Sequence, residues 1–222
     1  MKAILFDLYG TLIDIRTNEE DERLWKKISK KVKTIQHFSP EKLREQYKTL
    51  CKEKEQIIEE IEILEVFEAL FSVSKDDALK IAWKFRRAST IHIHLYKGVK
   101  KLLKKLRDEG YSLYVLSNAQ EAFTLPELER LGIKNYFNGI AISSAYGVKK
   151  PNVKFFSEAI KNFSLSGEIW MIGNDAICDI HPAKQLGLRA IFVESNLTPE
   201  NQEEDKVVGF NYQKIYKIIS GY

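Results

Sequence analysis

The sequence predicts an α/β fold, a doubly wound and mostly parallel sheet interrupted early by an inserted all-helical segment. Three observations predict it. From about His94 onward, short apolar runs alternate with amphipathic stretches, the rhythm of βα units and a parallel sheet. Ala3 to Leu8 is a short apolar run that meets an acid, Asp7, and then a loop with Gly10 and Thr11; a buried parallel strand ends in this way. From about Asp14 to Ile93 the chain is rich in Glu, Lys, Leu and Ile and poor in Gly and Pro, which reads as helix throughout. The expected division is an α/β core of residues 1–13 and 94–222 and a helical insertion of residues 14–93.

Within the insertion, Ser39-Pro40-Glu41 reads as a helix start, with Ser39 as cap and Pro40 in the first turn. Ser74-Lys75-Asp76-Asp77 is a second start signal. Beyond it, Val99, Leu102, Leu103 and Leu106 share one face of a helix over Gly98–Asp108, stopped by Gly110. Tyr111 to Leu116 reads as a strand with Ser117 and Asn118 at its end. A helix then closes at Gly132, and Gly139 to Ser143 forms a short strand. Val153 to Phe163 is a helix, Ile169 to Ile172 a strand, Ile180 to Leu186 a helix, and Ala190 to Val193 a strand. In open α/β sheets the ligand crevice lies beyond the carboxyl ends of the strands. Asp7, Ser117-Asn118 and Asn174-Asp175 should therefore meet in one site.

Composition limits the function classes. Of 222 residues, 44% are hydrophobic and 30% charged, enough to bury a core without staples. A formal net charge of +4 implies no general attraction to nucleic acid or membrane. The lysine runs Lys26–Lys33 and Lys100–Lys105 sit beside apolar residues at helical spacing and read as solvated faces. Two cysteines, Cys51 and Cys178, show no pairing pattern and suit a reducing compartment. The apolar start MKAILFDLYG is too short, and too interrupted by Asp7, for a signal peptide or a span. A cytoplasmic protein is expected, with oligomeric state left open.

Asp7 is the first candidate for chemistry. A carboxylate ending an apolar strand loses water and needs compensation. It is either a loop cap or a functional acid, and Thr11 offers it a hydroxyl. Ser117 and Asn118 are either a turn or donors to an anion. Lys150, set before Pro151, is either solvated surface or a cation held beside carboxylates. Gly173-Asn174-Asp175-Ala176-Ile177-Cys178-Asp179 packs two carboxylates and an amide into one loop, suited to a hard cation such as Mg²⁺; Asp179 equally fits a helix cap. His92 and His94 alternate, but two histidines lacking further ligands do not make a site. Trp25, Trp83 and the other aromatics of the insertion read as core.

Together these residues resemble the haloacid dehalogenase superfamily, in the subgroup whose helical cap follows the first strand. The resemblance rests on Asp7-Leu8-Tyr9-Gly10-Thr11-Leu12, Leu116-Ser117-Asn118, Lys149-Lys150-Pro151 and Gly173-Asn174-Asp175 through Asp179, and covers nearly the whole chain. It implies that Asp7 is a covalent nucleophile forming an aspartyl ester or aspartyl phosphate, with Ser117 and Lys150 neutralising the transferring group. It implies Mg²⁺ on Asp7, the Tyr9 carbonyl and Asp175, with Asn174 and Asp179 as further candidate ligands. Tyr9, Thr11, Asn118 and Arg44 are the candidate substrate contacts, and the cap would close over the site.

Tyr9 departs from the phosphatase pattern of this superfamily, which has a second Asp there to protonate a leaving alkoxide. A Tyr is the pattern of its 2-haloacid dehalogenases, which need no metal. The acidic Asp175/Asp179 loop points the other way, because without a cation those carboxylates would repel an anionic substrate. Arg44 is a loose match to the arginine with which dehalogenases grip a carboxylate. The leading expectation is Mg²⁺-dependent hydrolysis of small phosphate esters. The alternatives are a metal-independent 2-haloacid dehalogenase and a non-catalytic binding protein on the same fold.

Overall fold

A computed structural model describes residues 2–32, 37–200 and 206–221. Strand β1 (Lys2–Phe6) leads into β2 (Ile13–Thr17), and four helices follow: α1 (Glu22–Val32), α2 (Pro40–Glu55), α3 (Ile63–Phe71) and α4 (Lys75–Ser89). Strand β3 (Thr90–Leu95) returns the chain to the core. There α5 (Val99–Asp108), β4 (Ser112–Ser117), α6 (Glu121–Arg130), β5 (Gly139–Ile142) and α7 (Ser143–Tyr146) follow in order. The chain ends through α8 (Val153–Asn162), β6 (Glu168–Gly173), α9 (His181–Gln185), β7 (Arg189–Glu194), β8 (Lys206–Val208) and α10 (Tyr212–Ser220).

Six strands form one parallel sheet in the order β5-β4-β1-β6-β7-β8. Alternation along β1 sends Ile4 and Phe6 to one face and Ala3 and Leu5 to the other, as a doubly wound sheet requires. The first face packs against Leu102, Leu103 and Leu106 of α5 and Ile215 and Ile219 of α10. The second packs against Phe155, Phe156 and Ala159 of α8 and Ala183 of α9. β1 lies between β4 and β6, so Asp7, Ser117 and Gly173 come to adjacent strand ends.

The helical insertion has its own apolar cluster, with Trp25, Tyr47, Phe67, Phe71 and Phe85 stacked or edge-on to one another. Ser39 caps α2 by accepting from Lys42 N–H, and Ser74 caps α4 by accepting from Asp77 N–H. The lysines of α1 from Lys26 to Lys31 and those of α5 are exposed, as expected; Lys33 lies outside the described residues. Trp25 is core, but Trp83 is only half-buried, under the Arg130 guanidinium.

The structure corrects the expected all-helical span of 14–93. Its two ends pair as an antiparallel ribbon, Ile13 opposite Leu95 and Asp14 opposite His94. One side of the ribbon, with Ile15, Ile93 and Leu95, packs on the core. Burial of that alternating stripe fixes strand over helix. The expected boundaries at 13/14 and 93/94 thus fall inside strands. β8 and α10 were not predicted. Among the described residues, no helix is long and apolar enough to cross a membrane.

Candidate active site

The loop after β1 is wound tightly, because the Leu8 carbonyl accepts from the N–H groups of Thr11, Leu12 and Ile13. Gly10 makes this possible. Its φ is +88°, and a Cβ there would stand 2.2 Å from Asn174 Nδ2, so only glycine fits without displacing the neighbouring loop. Asp7, 7% exposed, is held at the mouth of that turn. Its Oδ1 accepts from Lys150 Nζ at 2.8 Å and from Ser117 Oγ at 3.0 Å. Its Oδ2 lies 3.2 Å from the Thr11 hydroxyl.

Lys150 is buried and bridges two carboxylates, Asp7 Oδ1 at 2.8 Å and Asp179 Oδ1 at 2.6 Å. It also donates to the Leu116 carbonyl. Burial works against its ammonium, but Asp179 and Asp7 more than offset that and hold its pKa above the ordinary lysine value. Lys149, its neighbour, instead faces Glu60 of the insertion at 3.4 Å. The adjacent lysines are therefore sorted, one to the nucleophile candidate and one to the rim.

Asn118 does not reach outward as a substrate donor. Its Nδ2 donates to the Lys150 carbonyl and its Oδ1 accepts from the Lys150 N–H, both at 2.8 Å. It positions the Lys150 backbone. Asp179, expected as a metal ligand, has Oδ1 on Lys150 and Oδ2 accepting from the Asp175 N–H. A π-helical turn over Ala176–Ile180 replaces the regular helix start, and such wide turns recur at functional sites. It directs Asp179 inward over Gly173, where a Cβ would lie 2.2 Å from Asp179 Oδ2. Asn174 is occupied too, accepting from the Thr11 hydroxyl at 3.1 Å and donating to the Leu197 carbonyl at 3.2 Å. Arg44 does not join the site; it sits on α2 in an exposed ion pair with Glu20 at 3.2 Å.

Tyr9 turns away from Asp7's partners. Its hydroxyl donates to Glu127 Oε2 at 2.5 Å and lies 3.1 Å from Thr124 Oγ1. Burial, reinforced by the Glu127 charge, pushes its phenol well above the usual tyrosine value. Glu127, 3% exposed, is gripped from the insertion by Arg86, with Nε to Oε1 at 2.7 Å. Neither Arg86 nor Glu127 was singled out from sequence. Residues 59–61 of the insertion also meet the core beside the site: Gln120 Nε2 donates to Glu60 and to the Ile61 carbonyl, and Asn152 Nδ2 donates to Glu59.

The donor set suits a hard cation. Mg²⁺ typically takes one or two carboxylates and keeps several waters. Asp7 and Asp175 supply carboxylates, and the Tyr9 carbonyl accepts no hydrogen bond among the described residues. Asp175 Oδ1 caps the N–H groups of Ile177 and Cys178 at 2.9 Å, which fixes the carboxylate's orientation. Burial and the Asp175 charge push the Cys178 thiol up to about 12, so it is not poised as a nucleophile.

Comparison with known proteins gives the family and the fold. The family model described as a haloacid dehalogenase-like hydrolase matches residues 1–187. The chain belongs to that family. Among its relatives, the glyceraldehyde 3-phosphate phosphatase of Pyrococcus abyssi is 33% identical over 96 residues, covering 43% of this chain and 40% of that one. The phosphoserine phosphatase of Thermus thermophilus is 29% identical over 110 residues, 49% of this chain and 44% of that one. The match spans less than half the length of either relative. A HAD phosphatase from Thermococcus onnurineus has the same fold, with a TM-score of 0.67 at 21% identity over 100% of this chain and 99% of that one. So does a 2-haloacid dehalogenase from Pseudomonas syringae pv. Tomato, with a TM-score of 0.66 at 20% identity over 100% and 99%.

Proposed function

We propose that this hydrolase is a Mg²⁺-dependent phosphatase of small phosphate monoesters, with Asp7 as nucleophile. The observation that carries the reading is the charge count at the strand ends. Among the described residues, Asp7 and Asp179 share a single buried ammonium, Lys150, at 2.8 and 2.6 Å. An anionic substrate needs a further positive charge there. Asp7, Asp175 and the Tyr9 carbonyl would hold Mg²⁺, which would supply that charge and polarise the phosphoryl oxygens. The phosphatase relatives point to the same class of substrate.

In this reading a carboxylate oxygen of Asp7 attacks phosphorus and the ester oxygen leaves, giving an aspartyl phosphate that water then hydrolyses. Ser117 and Lys150 orient Asp7 before attack and neutralise charge that develops on the phosphoryl group. Asn118 keeps Lys150 in register. The helical insertion acts as a cap whose residues 59–61 and Arg86 bear on the rim. The Tyr9 phenol, tied to Glu127 and high in pKa, does not protonate the leaving group. Turnover therefore favours phosphates whose leaving group departs without acid help, such as aryl esters or acyl phosphate anhydrides, over alkyl phosphates. The dehalogenase alternative gets no support from Arg44, which lies exposed on α2 beside Glu20, away from Asp7.

A panel of phosphate esters, assayed with and without Mg²⁺ on the wild type and Asp7→Asn, tests the proposal. Mg²⁺-dependent turnover, greatest for aryl and acyl phosphates and lost in Asp7→Asn, is expected. No metal-dependent turnover on any ester, or full activity in Asp7→Asn, would overturn it.

A further inference from the structure

Antiparallel pairing of β2 and β3 gives the ribbon two unlike sides. Ile15, Ile93 and Leu95 face the core. The other side carries Asp14, Arg16, His92 and His94, with Asp14 directly opposite His94 and Arg16 opposite His92. Two histidines at alternate positions of one strand project to the same side. In sequence they lacked a third ligand; the ribbon brings one from 78 residues earlier.

His92 Nε2 lies 3.3 Å from Asp14 Oδ1, and His94 Nε2 lies 3.5 Å from Asp14 Oδ2. Among the described residues, this is the one His/Cys/Asp/Glu trio whose ligand atoms all lie within 4.8 Å of one another. Ligands at zinc-type bond lengths of about 2.0–2.2 Å stand about 3.3–3.6 Å apart around a tetrahedron, and both histidine-to-carboxylate distances fall in that range. The carboxylate is also oriented from behind. Asn196 Nδ2 donates to Asp14 Oδ1 at 3.1 Å, and the Tyr96 hydroxyl donates to Asn196 Oδ1 at 2.5 Å. Outer partners of this kind set the orientation of metal ligands. Asp14 is only 15% exposed at its side chain, while His92 and His94 are 41% and 60% exposed, so an ion can reach the trio from solvent. Arg16 shares the face opposite His92 but is exposed.

We propose that Asp14, His92 and His94 form a binding site for a divalent transition ion of the zinc class, with a fourth position open to water. Two imidazoles and one carboxylate select such ions over Mg²⁺, which prefers oxygen alone. The ion would join β2 to β3 where the chain passes into and out of the insertion. None of the three ligands contacts Asp7, Ser117, Lys150 or Asp179 among the described residues. The test reads metal uptake rather than turnover, so this inference and the phosphatase proposal can fail separately.

The experiment uses tag-free protein stripped with EDTA and dialysed into excess Mg²⁺, titrated with Zn²⁺ by calorimetry and with Co²⁺ by visible absorption. One equivalent of Zn²⁺ per chain and the absorption of a four-coordinate Co²⁺ centre are expected. Both should vanish in the His92→Ala/His94→Ala double variant, and Asp14→Asn should bind Zn²⁺ at least tenfold more weakly. Zn²⁺ should raise the urea midpoint of the wild type and not of the double variant, whose midpoint in EDTA confirms that it is folded. No stoichiometric uptake by the wild type, or uptake unchanged in the double variant, would overturn the site.

Discussion

Replacing Arg86 with methionine should destabilise the protein far more than an ordinary helix substitution. The side chain it removes is 14% exposed and its partner, Glu127, is 3% exposed. In wild type, Glu127 receives Arg86 Nε at 2.7 Å, Arg86 Nη2 at 3.4 Å and the Tyr9 hydroxyl at 2.5 Å. Arg86→Met leaves the carboxylate with the phenol alone. Breaking a buried pair from one side costs about 3–5 kcal/mol, and the partial exposure of Arg86 favours the lower end, about 3 kcal/mol. For a chain of this size that corresponds to a fall in Tm of roughly 6–12 °C. Glu127→Leu in the same background removes the stranded charge, so the double variant should recover much of the loss. Urea melts followed by circular dichroism give both values. A loss below about 0.5 kcal/mol for Arg86→Met, the size of a surface change, would refute the reasoning. So would a double variant whose loss equals the sum of the singles.

Three other outcomes are expected. Gly10→Ala should strain a residue at φ +88° and push its Cβ into the Asn174 amide; a left-handed non-glycine costs about 1–3 kcal/mol, and turnover should fall with urea stability. Cys51 and Cys178, whose thiols burial raises to about 11 and about 12, should react with a disulfide reagent at pH 8 much more slowly in the native than in the unfolded protein, by roughly a hundredfold or more, because the thiolate is the reactive form; stopped-flow thiol labelling measures this. Tyr9→Asp should raise turnover of alkyl phosphates relative to aryl phosphates by supplying the missing acid. An unchanged ratio would place leaving-group protonation elsewhere.

The parallel core was legible because its strands are short apolar runs with polar residues at their carboxyl ends. The sequence implies that the strand ends bearing Asp7, Ser117 and Asp175 are neighbours, and their strands are adjacent in the sheet; the resemblance is what singles out Lys150, before Pro151. What misled was local. Thr90–Leu95 reads Thr-Ile-His-Ile-His-Leu, a strand alternation, but it follows directly on the helical pattern of α4 and was absorbed into it. Only pairing with Ile13–Thr17, far away in sequence, makes it a strand. Asn118, Asn174 and Asp179 carry the polar groups the sequence implies, and the partners that each finds within the site, Lys150, Thr11 and the Asp175 N–H, come from distant or folded-back segments. Arg86 and Glu127 left no signal at all, because each looks like an ordinary charge on an amphipathic helix until the other is brought to it.

Ala122 and Phe123 belong by sequence to the core helix α6, yet both are buried in the apolar cluster of the insertion. The seam along which the molecule divides is therefore not the ribbon where the chain crosses. A core built by splicing out the helices between β2 and β3 would present Phe123 to water and be prone to self-association. An isolated insertion would lack part of its own floor. Any hinged opening must either carry the amino-terminal turn of α6 with the helices or wet that aromatic on every cycle. The first course would also displace the loop that starts at Ser117, coupling access to the crevice with the geometry inside it.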